Sequence, residues 1–313
     1  MRKALIVGLD HYENRPLQGC ITDAERIGEL LDRHEDGRKN FDCKQLLSVP
    51  AGSPVTAANL RHELQQLIWN PVSYAVFHFS GHGTVTDGKP ALVAQDGSTL
   101  RLDDVLDIVN DSRATQTLVL LDCCFAGGLG NVSVLPDDQA VISEGVALIV
   151  GTRRDEFAVE RGGGGVFSDL VVGALAGGAS DVRGVVTFAS LHTYVDEGLG
   201  AWEQRPALRA NVNKLEMLRN CKPLVDEATL RRLPLWFPEP DGIHLLTPAH
   251  EPDAEPSDPH KERIFRQLQD CNRARLVDPV DEEHMYYAAM NETGCHLTPL
   301  GLRYWRMAKD GLL

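Results

Sequence analysis

A histidine and two adjacent cysteines carry the chemistry of this chain. Residues 117–128 read TLVLLDCCFAGG, an apolar run that stops at Asp122 and continues as Cys123, Cys124 and a small-residue loop ending in Gly127 and Gly128. An earlier apolar run, residues 74–79, leads into Ser80-Gly81-His82-Gly83, and His82 precedes Cys124 by 42 residues. A thiolate is the nucleophile of cysteine catalysis, and an imidazole within hydrogen-bond reach activates it and later protonates the leaving group. Cys124 suits that work better than Cys123, because it is the residue that leaves the strand for the loop. Its own N–H and that of Gly83 could hold a developing oxyanion, each such donor being worth a factor of about 10²–10³. The competing reading is two buried structural thiols beside a core histidine. A metal centre built on His78, His82, Cys123 and Cys124 is disfavoured, because the two histidines span a strand-to-turn junction rather than one helix face. No metal and no cofactor is assigned.

The elements that must position these groups follow from hydrophobic pattern. Short apolar runs bounded by turn signals are central parallel strands, and in open α/β sheets chemistry gathers at their carboxyl ends. Residues 3–9, 43–49, 74–79, 117–122 and 146–151 read as strands, with 207–212 a last extended segment. Thr22 and Glu25 have the spacing of a capping box, followed by a stripe of Ala24, Ile27, Leu30 and Leu31, which puts Asp23 in a first helical turn on the strand-end rim. Leu60, Leu64, Leu67 and Ile68 mark a second helix, and Asp103 a cap before Val105, Leu106 and Val109. Further helices are expected around 167–176 and 188–199. Alternating strands and helices predict a doubly wound α/β domain of about two hundred residues. Residues 1–212 are assigned to it.

Composition changes after that point. Seven of the chain's seventeen prolines lie between Pro234 and Pro259, so residues 213–260 read as a proline-rich linker or arm. Residues 261–313 form a small C-terminal module, helical at 261–276 and 299–310. On the last helix Leu300, Tyr304, Met307 and Ala308 share a face opposite Arg303, Arg306 and Lys309. A formal net charge of −14 argues against a general phosphate-binding surface, and nucleic acid is not an expected partner. No apolar run approaches membrane-spanning length, so no membrane is expected. Seven scattered cysteines without framework spacing, and a first strand that begins at Lys3, point to reduced thiols and a cytoplasmic setting.

The motifs together resemble those of metacaspases and bacterial caspase-like peptidases. Ser80-Gly81-His82-Gly83 and Asp122-Cys123-Cys124-Phe125-Ala126-Gly127 are similar to the family's SGHG and D-x-C-x-x-G segments, and the His-to-Cys spacing is close to the roughly fifty residues of caspases. Ala4-Leu5-Ile6-Val7-Gly8 and Leu17-Gln18-Gly19-Cys20-Ile21-Thr22-Asp23-Ala24 resemble the opening strand and the L-x-G-C-x-x-D-A segment. Gly165-Val166-Phe167-Ser168 and Gln204-Arg205-Pro206 resemble the later half. Where metacaspases usually read D-S-C-H-S-G, Cys123 replaces serine and Phe125-Ala126 replace His-Ser, so the choice between neighbouring thiols is left to experiment.

The resemblance implies a caspase-hemoglobinase-like three-layer sandwich with a mostly parallel central sheet, and a cysteine endopeptidase acting on protein substrates. It also implies that Cys20, Asp23, Ser80 and Asp122 line the pocket for the side chain before the cut. Two carboxylates there favour Arg or Lys, through charge-assisted hydrogen bonds of about 1.5–3 kcal/mol each. Helix-dipole compensation by Asp23 and a strand-end cap by Asp122 would need no pocket. Autocleavage is expected at Arg161, before four glycines, or among Arg205, Arg209, Lys214, Arg219 and Lys222. Many metacaspases need calcium, and Asp96, Asp103 and Asp104 resemble their acidic cluster, with Asn131 where a further aspartate would stand; turn and cap roles explain the three acids without a metal. Residues 284–301 resemble a small winged-helix-like appendage of some bacterial caspase-like proteins, which implies a regulatory protein partner and a role in stress or phage defence. The alternative function is a non-catalytic adaptor that binds protein partners, and intact cysteine and histidine argue against it.

Overall fold

The computed structural model describes residues 1–69, 71–123, 142–151, 165–199, 206–255 and 258–313. The chain divides into two compact units, Met1–Ser180 with Val185–Lys222, and Asp181–Gly184 with Pro223–Leu313. In order, the first contains β1 (Arg2–Gly8), α1 (Cys20–Asp32), β2 (Asp42–Leu47), α2 (Ala57–Trp69), β3 (Tyr74–Ser80), β4 (Gly83–Thr86), β5 (Lys89–Val93), β6 (Thr99–Arg101), α3 (Leu102–Asn110), β7 (Gln116–Asp122), β8 (Val146–Gly151), α4 (Val166–Gly173), β9 (Val185–Thr187), α5 (Phe188–Gly198), β10 (Ala207–Asn211) and β11 (Met217–Asn220).

Six strands form one sheet in the order β10-β8-β7-β3-β1-β2, parallel except for β10. Every residue of β3, β7 and β8 is buried, as strands covered on both faces must be. Side chains alternate between two clusters. Leu5, Val7, Phe77, Val119 and Leu121 pack with α2 and α3, while Ala4, Ile6, Val76, Leu118 and Leu120 pack with α1, α4 and α5. The result is the expected three-layer α/β/α sandwich. Chain direction across the sheet reverses between β1 and β3, the switch point beside which open α/β sheets place their sites. Antiparallel β4, β5 and β6 make a separate small sheet directly after His82; of this, the sequence showed only the extended piece at 91–94.

Two expected helix starts differ. Helix α1 begins at Cys20, with Gly19 at its N-cap in the left-handed region (φ 101°), so Thr22 and Glu25 lie inside it and form no capping box. The N-cap of α3 is Arg101, which places Asp103 in the first turn.

The second unit holds α6 (Glu227–Leu230), α7 (Leu233–Trp236), β12 (Ile243–His244), α8 (Pro259–Arg273), β13 (Val277–Pro279), α9 (Met285–Met290), β14 (Cys295–Leu297) and α10 (Pro299–Lys309), with the three strands antiparallel in the order β12-β14-β13. From Pro223 on, the stretch read as a linker belongs to its core, where Leu230, Leu233, Trp236, Phe237 and Leu246 are buried with Phe265, Leu268, Tyr304 and Trp305, while residues 213–222 belong to the first unit. Its prolines misled because several of them start helices. Pro234 and Pro259 stand in the first turns of α7 and α8, and Pro248 opens a 3₁₀ turn, where a missing N–H costs nothing. No helix among the described residues is long and apolar enough to cross a membrane.

Candidate functional site

Parallel register brings the strand ends onto one line. Gly8, Ser80, Asp122 and Gly151 are successive partners across β1, β3, β7 and β8. His82 therefore stands two residues beyond Ser80, and Cys124 two residues beyond Asp122. Cys124 lies outside the described residues, as do Asn131, Arg161 and Arg205. Cys123 is described: it is 1% exposed and packs in the cluster on the α2/α3 side. A sulfur so enclosed is poorly placed to meet a substrate.

His82 is half-buried on the rim, and its ring position is fixed from one side. The Nε2 atom lies 2.6 Å from the carbonyl of Arg15; a carbonyl only accepts, so Nε2 is the donor in this bond and Nδ1 is the nitrogen left to face other groups. Arg15 stands at φ 59°, a left-handed conformation that is uncommon outside glycine. Tyr12 packs its ring against the imidazole with centroids 4.6 Å apart, and burial pushes its phenol upward, so it stays a hydroxyl. Among backbone groups, Val93 N–H donates to the His82 carbonyl at 2.9 Å. Hydrogen-bonded and non-hydrogen-bonded pairs alternate along an antiparallel ladder, and Gly83 pairs with Leu92 at the next step. The Gly83 N–H consequently points away from β5, along the open edge of the small sheet.

The remaining site residues gather on the α1/α4 side. Asp10, in the loop after β1, accepts from the N–H groups of Cys20 at 2.9 Å and Ile21 at 3.2 Å. It thereby satisfies the first-turn donors that a local capping box would have served, and it positions Cys20 and Asp23. The backbone of Gly165 donates to Asp23 Oδ2 at 3.0 Å, and Ser168 Oγ donates to Asp122 Oδ2 at 2.6 Å. The start of α4 thus holds both carboxylates, and Arg26 bridges α1 to Asp169 of α4.

Both acids are covered, Asp23 at 1% and Asp122 at 0% exposure. Burial, with lesser help from Asp122 and Asp169, raises the Asp23 carboxyl to about 6. Among the described residues its Oδ1, which has Arg26 Nη1 at 3.9 Å, finds no hydrogen-bond partner, and neither do Ser80 Oγ and the two ring nitrogens of His78. His78 shares the Asp122 face by strand alternation; burial lowers its imidazole to about 4, partly offset by Asp122.

The sequence brought His82, Asp23, Asp122, Ser80 and Cys20 to this rim. It gave no role to Asp10, Tyr12, Arg15 or Ser168. A carboxylate one residue past a strand end and a serine inside a matched motif were the available signals for two of them; the ring and carbonyl behind His82 had none.

The acids compared with a calcium cluster are otherwise engaged. Asp96 accepts from Ser98 N–H at 3.0 Å, Asp103 pairs with Lys89, and Asp104 pairs with Arg61 at 3.0 Å and with Arg101. Among the described residues no group of three or more His, Cys, Asp or Glu could hold a metal ion, so these residues as arranged do not fit such a site.

Residues 1–216 match a family model described as caspase domain. Over 213 residues the chain is 25% identical to metacaspase-1 of Debaryomyces hansenii, covering 59% of this chain and 44% of that protein. The chain therefore spans less than half the length of that relative. Caspase-1 from Spodoptera frugiperda superposes with a TM-score of 0.52 at 13% identity, over 70% of this chain and 90% of that one. A structure of pro-Sf-caspase-1 gives 0.50 at 13% identity, over 69% and 93%. At that identity the solved structures speak for the fold alone.

Proposed function

The chain belongs to the caspase domain family of cysteine-type peptidases, and from that premise we propose that it cleaves protein substrates after arginine or lysine. Cys124 is the nucleophile. It passes its proton to Nδ1 of His82 and adds to the scissile carbonyl, and the oxyanion is held by the N–H groups of Gly83 and Cys124. The C–N bond then breaks as His82 protonates the departing amine, and water releases the acyl group from sulfur. Arg15 keeps Nε2 protonated throughout, so the imidazole shuttles one proton at one atom.

The observation that carries this reading is the rung between Ser80 and Asp122, which sets the histidine and the second cysteine at matching steps past neighbouring strands. For specificity, the support is the pair of buried carboxylates, Asp23 and Asp122, backed by Cys20 and Ser80. An entering guanidinium or ammonium takes Asp23 from the Gly165 N–H and adds its charge to that of Arg26, whose Nη1 lies 3.9 Å from Asp23 Oδ1. Autoprocessing falls to Arg161 or Arg205 rather than Arg219, which is 7% exposed and donates to the carbonyls of Leu30, Arg33 and Leu175. The second unit serves as a regulatory module for a protein partner.

The test is to react the protein with an arginyl chloromethyl ketone, map the adduct, and assay peptides ending in Arg, Lys, Asp and Asn. An adduct on Cys124 and cleavage after Arg or Lys are expected. Labelling at Cys123 overturns the nucleophile assignment, and preference for Asp overturns the specificity.

A further inference from the structure

The small sheet beside His82 contains one irregular rung. His82 and Val93 stand one step beyond the Gly83–Leu92 pair, where an antiparallel ladder exchanges two bonds. One is direct, from Val93 N–H to the His82 carbonyl at 2.9 Å. The other runs through a third residue: His82 N–H donates to Tyr12 Oη at 3.0 Å, and that hydroxyl donates to the Val93 carbonyl at 3.1 Å. Tyr12 comes from the β1–α1 loop, so its hydroxyl ties the small sheet to the end of the main one. The residue is 7% exposed. A Cβ at Gly81 would sit 2.5 Å from Oη, so glycine there leaves the hydroxyl its place.

Phenylalanine would fill the same space and pack the same ring, so packing alone does not account for the hydroxyl. Resting on the peptidase reading above, we propose that Tyr12 is a positioning residue for that reaction: its hydroxyl, spliced into the ladder, fixes the backbone of His82, while its ring and the Arg15 carbonyl fix the imidazole. Tyr12 is given no chemical step of its own. It acts through His82, and its loss loosens the base without removing it. A displacement of about 1 Å in a catalytic group costs up to about 10²-fold in rate.

The experiment compares wild type and Tyr12→Phe as full-length proteins. With an arginyl peptide, kcat should fall about 10–100-fold while KM stays within about twofold. In ¹⁵N spectra of histidine-labelled protein, wild-type His82 should show a single tautomer protonated at Nε2, and the variant a mixture of both. Unchanged kcat together with an unchanged tautomer overturns the proposal. Should the wild type neither cleave nor label at Cys124, the peptidase reading fails, yet the tautomer comparison still decides whether Tyr12 holds His82. If the variant does not fold, amide exchange of wild-type His82 decides: a protected amide supports the bridge, and exchange as fast as in an open loop overturns it.

Discussion

Ser80 and Asp122 are partners across β3 and β7, and the histidine and cysteine follow each by the same two residues. Groups that act as one unit are not additive when removed. Replacing His82 by Ala or Cys124 by Ala should each lower kcat on an arginyl peptide by at least about 10³-fold, and the double variant should fall no further. A double variant whose loss equals the product of the single losses would show that the two residues work independently.

Ser168 gives Asp122 its 2.6 Å hydrogen bond inside the fold, and a bond to a charged acceptor is worth about 1.5–3 kcal/mol. Ser168→Ala removes that restraint on the carboxylate. We expect kcat/KM for arginyl and lysyl peptides to drop about tenfold or more, with the rate of Cys124 alkylation by a small uncharged reagent unchanged. Equal losses in both measurements would place the serine in the scaffold rather than in recognition.

Two buried groups should pull stability in opposite directions with pH. Asp23 is raised from an ordinary 3.8 to about 6, so between those values the folded chain keeps a proton that the unfolded chain gives up. Its contribution to stability therefore falls as pH rises from about 4 to about 6. His78 is lowered from 6.5 to about 4; here the unfolded chain takes the extra proton, and stability rises over about the same window. Each effect is on the order of 2 kcal/mol. Relative to wild type, urea midpoints of Asp23→Asn should climb more steeply from pH 4 to 6, and those of His78→Leu should decline. Three parallel curves would refute both assignments.

Within the second unit, Trp305 is 4% exposed and its indole N–H donates to the Phe237 carbonyl at 2.7 Å. Trp305→Phe leaves that carbonyl buried and without its donor, at a cost of about 1–3 kcal/mol. A lowered urea midpoint of the full chain is expected. An unchanged one would mean that the bond is replaced, by water or by another donor.

How much of this was legible beforehand depended on range. The central strands announced themselves, because residues buried on both faces leave unbroken runs such as Leu118 to Leu121, and the ends of two of them followed from Gly81 and Asp122. What was hidden came from contacts between distant residues. The start of α1 is satisfied by Asp10, ten residues upstream of Cys20 and across a loop, so a search for local caps settled on Thr22 and Glu25. Prolines 234, 248 and 259 signalled an end of structure and instead begin helical turns, which composition cannot distinguish. Tyr12 looked like any loop aromatic, since nothing in its neighbours tells that its hydroxyl closes a ladder seventy residues away.

Asp10, Tyr12 and Arg15 lie within six consecutive positions in the loop after β1 and, on the proposed reading, govern different tasks: the seating of α1, the backbone of His82, and the placement of its proton. A one-residue deletion or a proteolytic nick in that short span would disturb substrate choice and chemistry together while leaving the sulfur untouched. If the proposed peptidase reading holds, a reagent or modification that acts on the exposed turn between the first strand and the first helix should inactivate the chain without reaching Cys124.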